Sequence, residues 1–149
     1  MNRTIALGAD HAGVNYKQEI AALLQQQGDT VLDFGTNSTE STDYPDHAAA
    51  AANAVASGQA DCAILVCGSG IGVSIVANKV AGIRAANCLT AEMAQLARQH
   101  NDANVLTIGQ RLVDWDTAQQ IVDAFLSTPA SDNERHRNRV EKIHRLTGC

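Results

Sequence analysis

A short apolar run, a turn and then a stretch of helical spacing recur five times along this chain, and that alternation limits its fold more than any other feature. Thr4–Ala9 reads as the first strand. The helix after it sets Tyr16, Ile20, Leu23 and Leu24 on one face and stops at Gly28. Thr30–Phe34 reads as a strand closed by Gly35, residues 36–46 as a polar loop, and Ala48–Ala56 as an Ala-rich helix ended by Gly58. Cys62–Cys67 is apolar throughout, as expected of a strand covered by helices on both faces. The glycine loop Gly68–Gly72 leads into a helix reaching about Lys79, and Ile83–Cys88 reads as the fourth strand. Thr90 can cap a helix to about His100, and Val105–Ile108 is the fifth strand. Asp116 and Gln119 have capping-box spacing ahead of the stripe Ala118, Ile121, Val122 and Phe125. Residues 128–134 read as a linker and Arg135–Leu146 as a last helix. Such repetition predicts right-handed βαβ crossovers, hence an α/β fold: a three-layer, Rossmann-like, five-stranded parallel sheet with helices on both faces. The 149 residues suit one domain, 1–149, with 135–149 as a basic C-terminal helix.

Charge and patterning exclude several functions. No apolar stretch approaches the ~18–20 residues of a membrane span. Residues 1–12 lack the apolar core of a secretory signal, so a cytoplasmic protein without membrane partners is expected. The net charge of −5 argues against nucleic acid as a partner. It is unevenly spread: residues 1–134 carry 6 basic and 15 acidic side chains, residues 135–149 carry 5 basic and 1 acidic. A local basic cluster on an acidic body suits a small anionic ligand, or is a solvated tail. The four cysteines form no C-x-x-C pair and read as free thiols. The five histidines have no metal-ligand spacing, so neither a metal nor another cofactor is expected.

In open parallel sheets ligands bind beyond the carboxyl ends of the strands. That rule singles out Asp10 and His11 after the first strand, Cys67 to Gly72 after the third, and Arg111 after the fifth. Gly68, Gly70 and Gly72 let the backbone approach a ligand, and their amides with the following helix start can hold an anion. They do not match a dinucleotide G-x-G-x-x-G, a P-loop or a C-x5-R phosphatase loop. Cys67 is either inert packing or a functional thiol; a strand end beside an amide-rich helix start favours thiolate, which could act as base or nucleophile. In the last helix Arg135, Arg139 and Lys142 share one face, a spacing that suits a phosphate.

Taken together, these segments resemble the type B ribose-5-phosphate isomerases, a group that includes galactose-6-phosphate and allose-6-phosphate isomerases. The resemblance is carried by G-A-D-H-A-G at 8–13, T-D-Y-P at 42–45, C-G-S-G-I-G at 67–72, A-N-K at 77–79 and G-I-R-A at 82–85. R-Q-H-N-D-A-N-V-L at 98–106, G-Q-R at 109–111 and R-H-x-x-R-V-E at 135–141 continue it. It implies an aldose–ketose isomerase of the pentose phosphate pathway in which Cys67 shuttles a proton between sugar C1 and C2. Members with a glutamate base carry it just past the glycine loop, where this chain has Val73. The resemblance further implies that Gly68, Ser69, Gly70, Ile71 and Gly72 hold the enediolate, with the Ser69 hydroxyl taking part. It gives His100 the ring-opening role and Asn101 a substrate contact. Asp10, His11 and Tyr44 would line the sugar, while Arg111, Arg135 and Arg139, helped by His136, would bind the phosphate. It also implies no metal and a homodimer or homotetramer whose site is shared between subunits, for which the Ala-rich helix offers a close interface. Other phosphosugars, a tetrose 4-phosphate or a hexose 6-phosphate, stay open, as does a non-catalytic Rossmann-type module binding a phosphometabolite.

Overall fold

The computed structural model describes residues 2–149. Five parallel strands form one sheet: β1 (Thr4–Ala9), β2 (Thr30–Asp33), β3 (Cys62–Cys67), β4 (Ala85–Asn87) and β5 (Val105–Gly109), in the order β2-β1-β3-β5-β4. Between and after them run α1 (Val14–Gln26), α2 (Tyr44–Ala56), α3 (Ile71–Asn78), α4 (Ala91–Asn101), α5 (Trp115–Ser127) and α6 (Glu134–Thr147). The three-layer arrangement follows from side-chain alternation along the strands. Ile5, Leu7, Ile64, Val66, Leu106 and Ile108 point to one face, where they bury Ile20 and Leu24 of α1, Ala94 of α4 and Ile121, Val122 and Phe125 of α5. Ala6, Ala63, Leu65, Cys67 and Val105 point to the other, against α2 and α3.

That second face explains the alanines. Ala48, Ala51 and Ala52 are wholly buried, and a Cβ at Gly8 of β1 would stand 2.8 Å from the His47 carbonyl oxygen. Small residues on both sides let helix and strand backbones approach. Ala48, Ala51 and Ala52 are therefore spent within the chain itself.

Several boundaries differ from expectation, each for a local reason. The loop over 36–46 ends early because Pro45 fits the first turn of α2, where its missing N–H costs nothing. The fourth strand shrinks from Ile83–Cys88 to Ala85–Asn87: the Arg84 N–H is taken by the Asn104 side chain at 2.8 Å instead of a strand partner, and Ile83 lies in a turn. The cap of α5 is Asp114, which accepts from the Thr117 N–H at 2.8 Å, so Asp116 sits in the first turn and the expected Asp116–Gln119 box does not form. Trp115 thereby begins the helix and meets Tyr16 edge-on at 5.4 Å. Helix α6 starts one residue before Arg135, with Asn133 as its cap.

The strand order places the site. From β1 the chain passes to β2 on one side, while β3 lies on β1's other side, so a topological switch lies between β1 and β3. Loops leaving the carboxyl ends there diverge and leave a crevice. Asp10 and His11 leave β1 into that crevice, and Cys67 ends β3 with Gly109 of β5 beside it in register.

Candidate active site

A cavity of about 680 Å³ occupies this crevice, lined by Asp10, His11, Ala12, Tyr44, Cys67, Gly68, Ser69, Ile71, Gly72, Ile75, Arg111 and Leu112. Three separate strand ends and the start of α2 thus converge on Cys67, which is 4% exposed yet lines the cavity. Its Sγ accepts the Gly70 N–H at 3.1 Å. Cys62 and Cys88 lack such a partner, and burial pushes both thiols up to about 11, which keeps them protonated and inert.

Gly70 bends the loop back onto the sulfur. Its φ is +76°, and a Cβ there would run into the Asn87 side chain and stand 2.9 Å from the Ile108 carbonyl carbon. Buried Thr107 fixes the turn from below, its hydroxyl lying 2.9 Å from the Gly70 carbonyl oxygen and 3.2 Å from Asn87 Oδ1. Glycine is needed here for both conformation and space. Gly70→Ala is expected to lose about 2–5 kcal/mol of stability, adding left-handed strain to overpacking. A urea titration measures this; a midpoint like that of the wild type would refute it.

The amides are divided among tasks. Gly70 N–H serves the sulfur, and Ile71 N–H donates to Ser69 Oγ at 3.2 Å. The Ser69 hydroxyl accepts there and keeps its own proton to donate. The Gly70 and Ile71 amides are therefore committed to the sulfur and to the Ser69 hydroxyl. Close contact explains the other glycines: a Cβ at Gly72 would lie 2.6 Å from the Tyr44 ring, and one at Gly68 3.2 Å from the Arg111 guanidinium. Arg111 is anchored by its own N–H to the Gly68 carbonyl at 3.0 Å. Asp10 Oδ1 accepts from the Ala12 and Gly13 amides at 3.0 and 3.1 Å, shaping the turn into α1.

The structure does not bring the remaining expected residues to Cys67 within one subunit. His100 and Asn101 end α4, and α4 runs back to the amino ends of the strands. The six residues of β3 alone span about 20 Å between those ends. His100 stacks on His136 of α6 with ring centroids 4.4 Å apart, beside a separate cavity of about 310 Å³. Partial burial, and then the charges of His100, Arg135 and Arg139, hold His136 below the usual histidine range. Arg135, Arg139 and Lys142 do share one face of α6 and line a shallow hollow of about 550 Å³ with Glu134 and Asn138.

Sequence reasoning missed Arg84, which joins the two elements of that second cluster. Its guanidinium donates to the Asn101 and Asp102 carbonyls at 2.7–3.0 Å and to His144 Nε2 of α6 at 2.8 Å. The G-I-R-A motif was visible, but its long-range partners were not. A further cavity of about 520 Å³ lies at the amino ends of the strands among Arg3, Arg84 and Arg98. Those guanidiniums are committed to Asp29, Asp102 and backbone carbonyls. Among the described residues, no three His, Cys, Asp or Glu side chains are grouped to hold a metal ion, and no helix is long and apolar enough to cross a membrane.

Comparison with known proteins agrees with this geometry. The profile of the family described as Ribose/Galactose Isomerase matches residues 5–143. The chain is 51% identical to ribose-5-phosphate isomerase B of Escherichia coli strain K12, over 95% of this chain and 94% of that one. It is 45% identical to D-erythrulose-4-phosphate isomerase of Pectobacterium atrosepticum, over 83% and 82%. The solved structure of Clostridium thermocellum ribose-5-phosphate isomerase B superposes with a TM-score of 0.95 at 48% identity, covering 97% of each chain. With the switch-point cavity, its cysteine and its glycine loop all in place, the chain belongs to the ribose/galactose isomerase family.

Proposed function

We propose that this chain, as one domain over residues 1–149, is an aldose–ketose isomerase that interconverts ribose 5-phosphate and ribulose 5-phosphate, with Cys67 as the base. One observation carries the reading: a cysteine whose sulfur accepts a loop amide lines the same cavity as Arg111, Asp10, His11 and Tyr44. Its relatives' names support the substrate class. The C2–H bond of the open-chain aldose breaks, its proton passes to sulfur, and its electron pair becomes the enediolate. The new S–H returns that proton at C1 while a proton moves from O2 to O1, giving the ketose. Ser69 Oγ–H and the Gly72 amide meet the developing oxyanion, a contribution worth about 10²–10³ in rate for each donor. Arg111 supplies charge for the phosphate, which anchors the sugar and takes no part in the chemistry.

His100, Asn101, Arg135 and Arg139 complete the site from a second copy of the chain, in a homodimer or homotetramer. Ile71, Ile75 and Leu112 support this, since all three line the cavity and are more than half exposed. A subunit seated on them covers apolar surface and closes the site. His100 then opens the furanose ring, and Arg135 and Arg139 join Arg111 on the phosphate. Four free cysteines suit a cytoplasmic setting.

Incubation with ribulose 5-phosphate in D₂O, followed by proton NMR, tests the reading. Formation of ribose 5-phosphate is expected, with deuterium at C2 in those turnovers in which the S–H exchanges with solvent before giving up its proton; no aldose would sink it. A second substrate is favoured by the 45% identity to the erythrulose-4-phosphate enzyme. A parallel panel of tetrose 4-, pentose 5- and hexose 6-phosphates decides between them by kcat/KM.

A further inference from the structure

What His11 can do in the cavity depends on which ring nitrogen carries its proton. The Thr42 backbone N–H donates to His11 Nδ1 at 3.1 Å. An amide only donates, so Nδ1 holds the lone pair and the neutral ring carries its proton on Nε2. Thr42 is in turn held from the other side: its Oγ1 lies 3.1 Å from His47 Nε2. His47 Nδ1 lies 3.0 Å from the Phe34 carbonyl oxygen, which only accepts. Nδ1 is therefore the donor of neutral His47, and Nε2 accepts from the Thr42 hydroxyl.

These bonds tie the end of the 34–42 loop to its own beginning. His47 has a prepared seat, since a Cβ at Gly35 would crowd its ring at 3.1 Å and one at Gly8 would press on its carbonyl oxygen. Lys17, buried under the loop, holds the same segment with Nζ 2.6 Å from Asp33 Oδ1 and Oδ2 and 2.9 Å from Asn37 Oδ1. Both sets of contacts bear on where the Thr42 amide lies.

We propose that His47 is a positioning residue that, through Thr42, holds His11 as the Nε2–H tautomer and so gives the cavity an N–H donor at a fixed place for an oxygen of the sugar phosphate. The substrate named here rests on the function proposed above, whereas the tautomer does not.

Nitrogen-15 NMR of the histidine rings in the full-length, substrate-free protein tests it, together with steady-state kinetics on ribulose 5-phosphate. Wild-type His11 is expected to show an unprotonated Nδ1 and a protonated Nε2. His47→Phe and Thr42→Val should give a mixture of tautomers, raising KM about threefold to tenfold while kcat changes less. Thr42→Ser keeps the hydroxyl and should retain both the wild-type signature and KM, which separates loss of the hydrogen bond from general damage to the loop. The proposal is overturned if wild-type His11 carries its proton on Nδ1 or populates both tautomers. It is equally overturned if His47→Phe and Thr42→Val leave signature or KM unchanged, or if Thr42→Ser behaves like Thr42→Val. A wild-type protein that turns over no phosphosugar sinks the functional reading, while the tautomer is still decided because it is read without substrate.

Discussion

Cys67→Ala is expected to lower kcat by about 10²–10⁴-fold, the contribution of a positioned general base. That corresponds to about 2.7–5.4 kcal/mol of transition-state stabilisation. The Kd for ribose 5-phosphate, measured by calorimetry, should change only a few-fold, because the phosphate and hydroxyl contacts do not involve sulfur. The alternative account of Cys67 as inert packing makes the opposite prediction. It expects a modest loss of stability from the small cavity left behind and nearly full turnover. Cys62→Ala and Cys88→Ala serve as controls: both thiols are held protonated by burial, and neither lines the Cys67 cavity, so turnover should survive in each. If Cys67→Ala isomerises at the wild-type rate, the base is elsewhere and the proposed chemistry is wrong. A covalent sugar adduct trapped on Cys67 would point instead to nucleophilic catalysis.

The sequence was most legible where local physics decides structure. Continuous apolar runs bounded by glycine identify buried parallel strands, and β1, β3 and β5 emerge within a residue of their expected limits. The switch-point rule then leads from strand order to Asp10, His11, Cys67 and Arg111, and all four line one cavity. Legibility failed where a side chain from a distant segment replaces a local partner. The Asn104 side chain takes the backbone of Arg84 and shortens β4, which no periodicity in residues 83–88 could reveal. Asp114 rather than Asp116 caps α5, which leaves Trp115 at the helix start against Tyr16, a contact made across the fold. Nothing in the sequence singles out His47, because its partners Phe34 and Thr42 are set by the path of the loop. The resemblance names His100, Arg135 and Arg139. The βαβ alternation already places His100, at the end of a helix leading into β5, away from the sulfur, whereas the path of residues 128–134 gives no such signal for Arg135 and Arg139.

That separation makes a strong demand on assembly. If one subunit supplies Cys67 and its partner supplies His100, a mixture of two inactive variants should regain activity. Consider Cys67→Ala and His100→Asn chains unfolded together and reassociated. A two-fold dimer carries two equivalent shared sites. In a hybrid, one site receives both substitutions and the other receives neither. Random pairing makes about half the dimers hybrid, so about a quarter of all sites are intact and the mixture should recover about a quarter of wild-type activity. Each variant reassociated alone should stay near its own low rate, measured by ribulose 5-phosphate consumption. The reasoning requires that His100→Asn alone be strongly impaired, as loss of an acid–base group near neutral pH should make it. Recovery to that level would show that the α4–α6 cluster works in trans and would explain why Arg135 and Arg139 line a hollow apart from Cys67 in the single chain. No recovery from two impaired parents would mean that each subunit completes its own site, and His100 would then have to cross about 20 Å of sheet to reach the sugar. A nearly active His100→Asn parent would remove His100 from the chemistry and leave ring opening to His11 or Asp10, the acid–base groups that already share the cavity with Cys67.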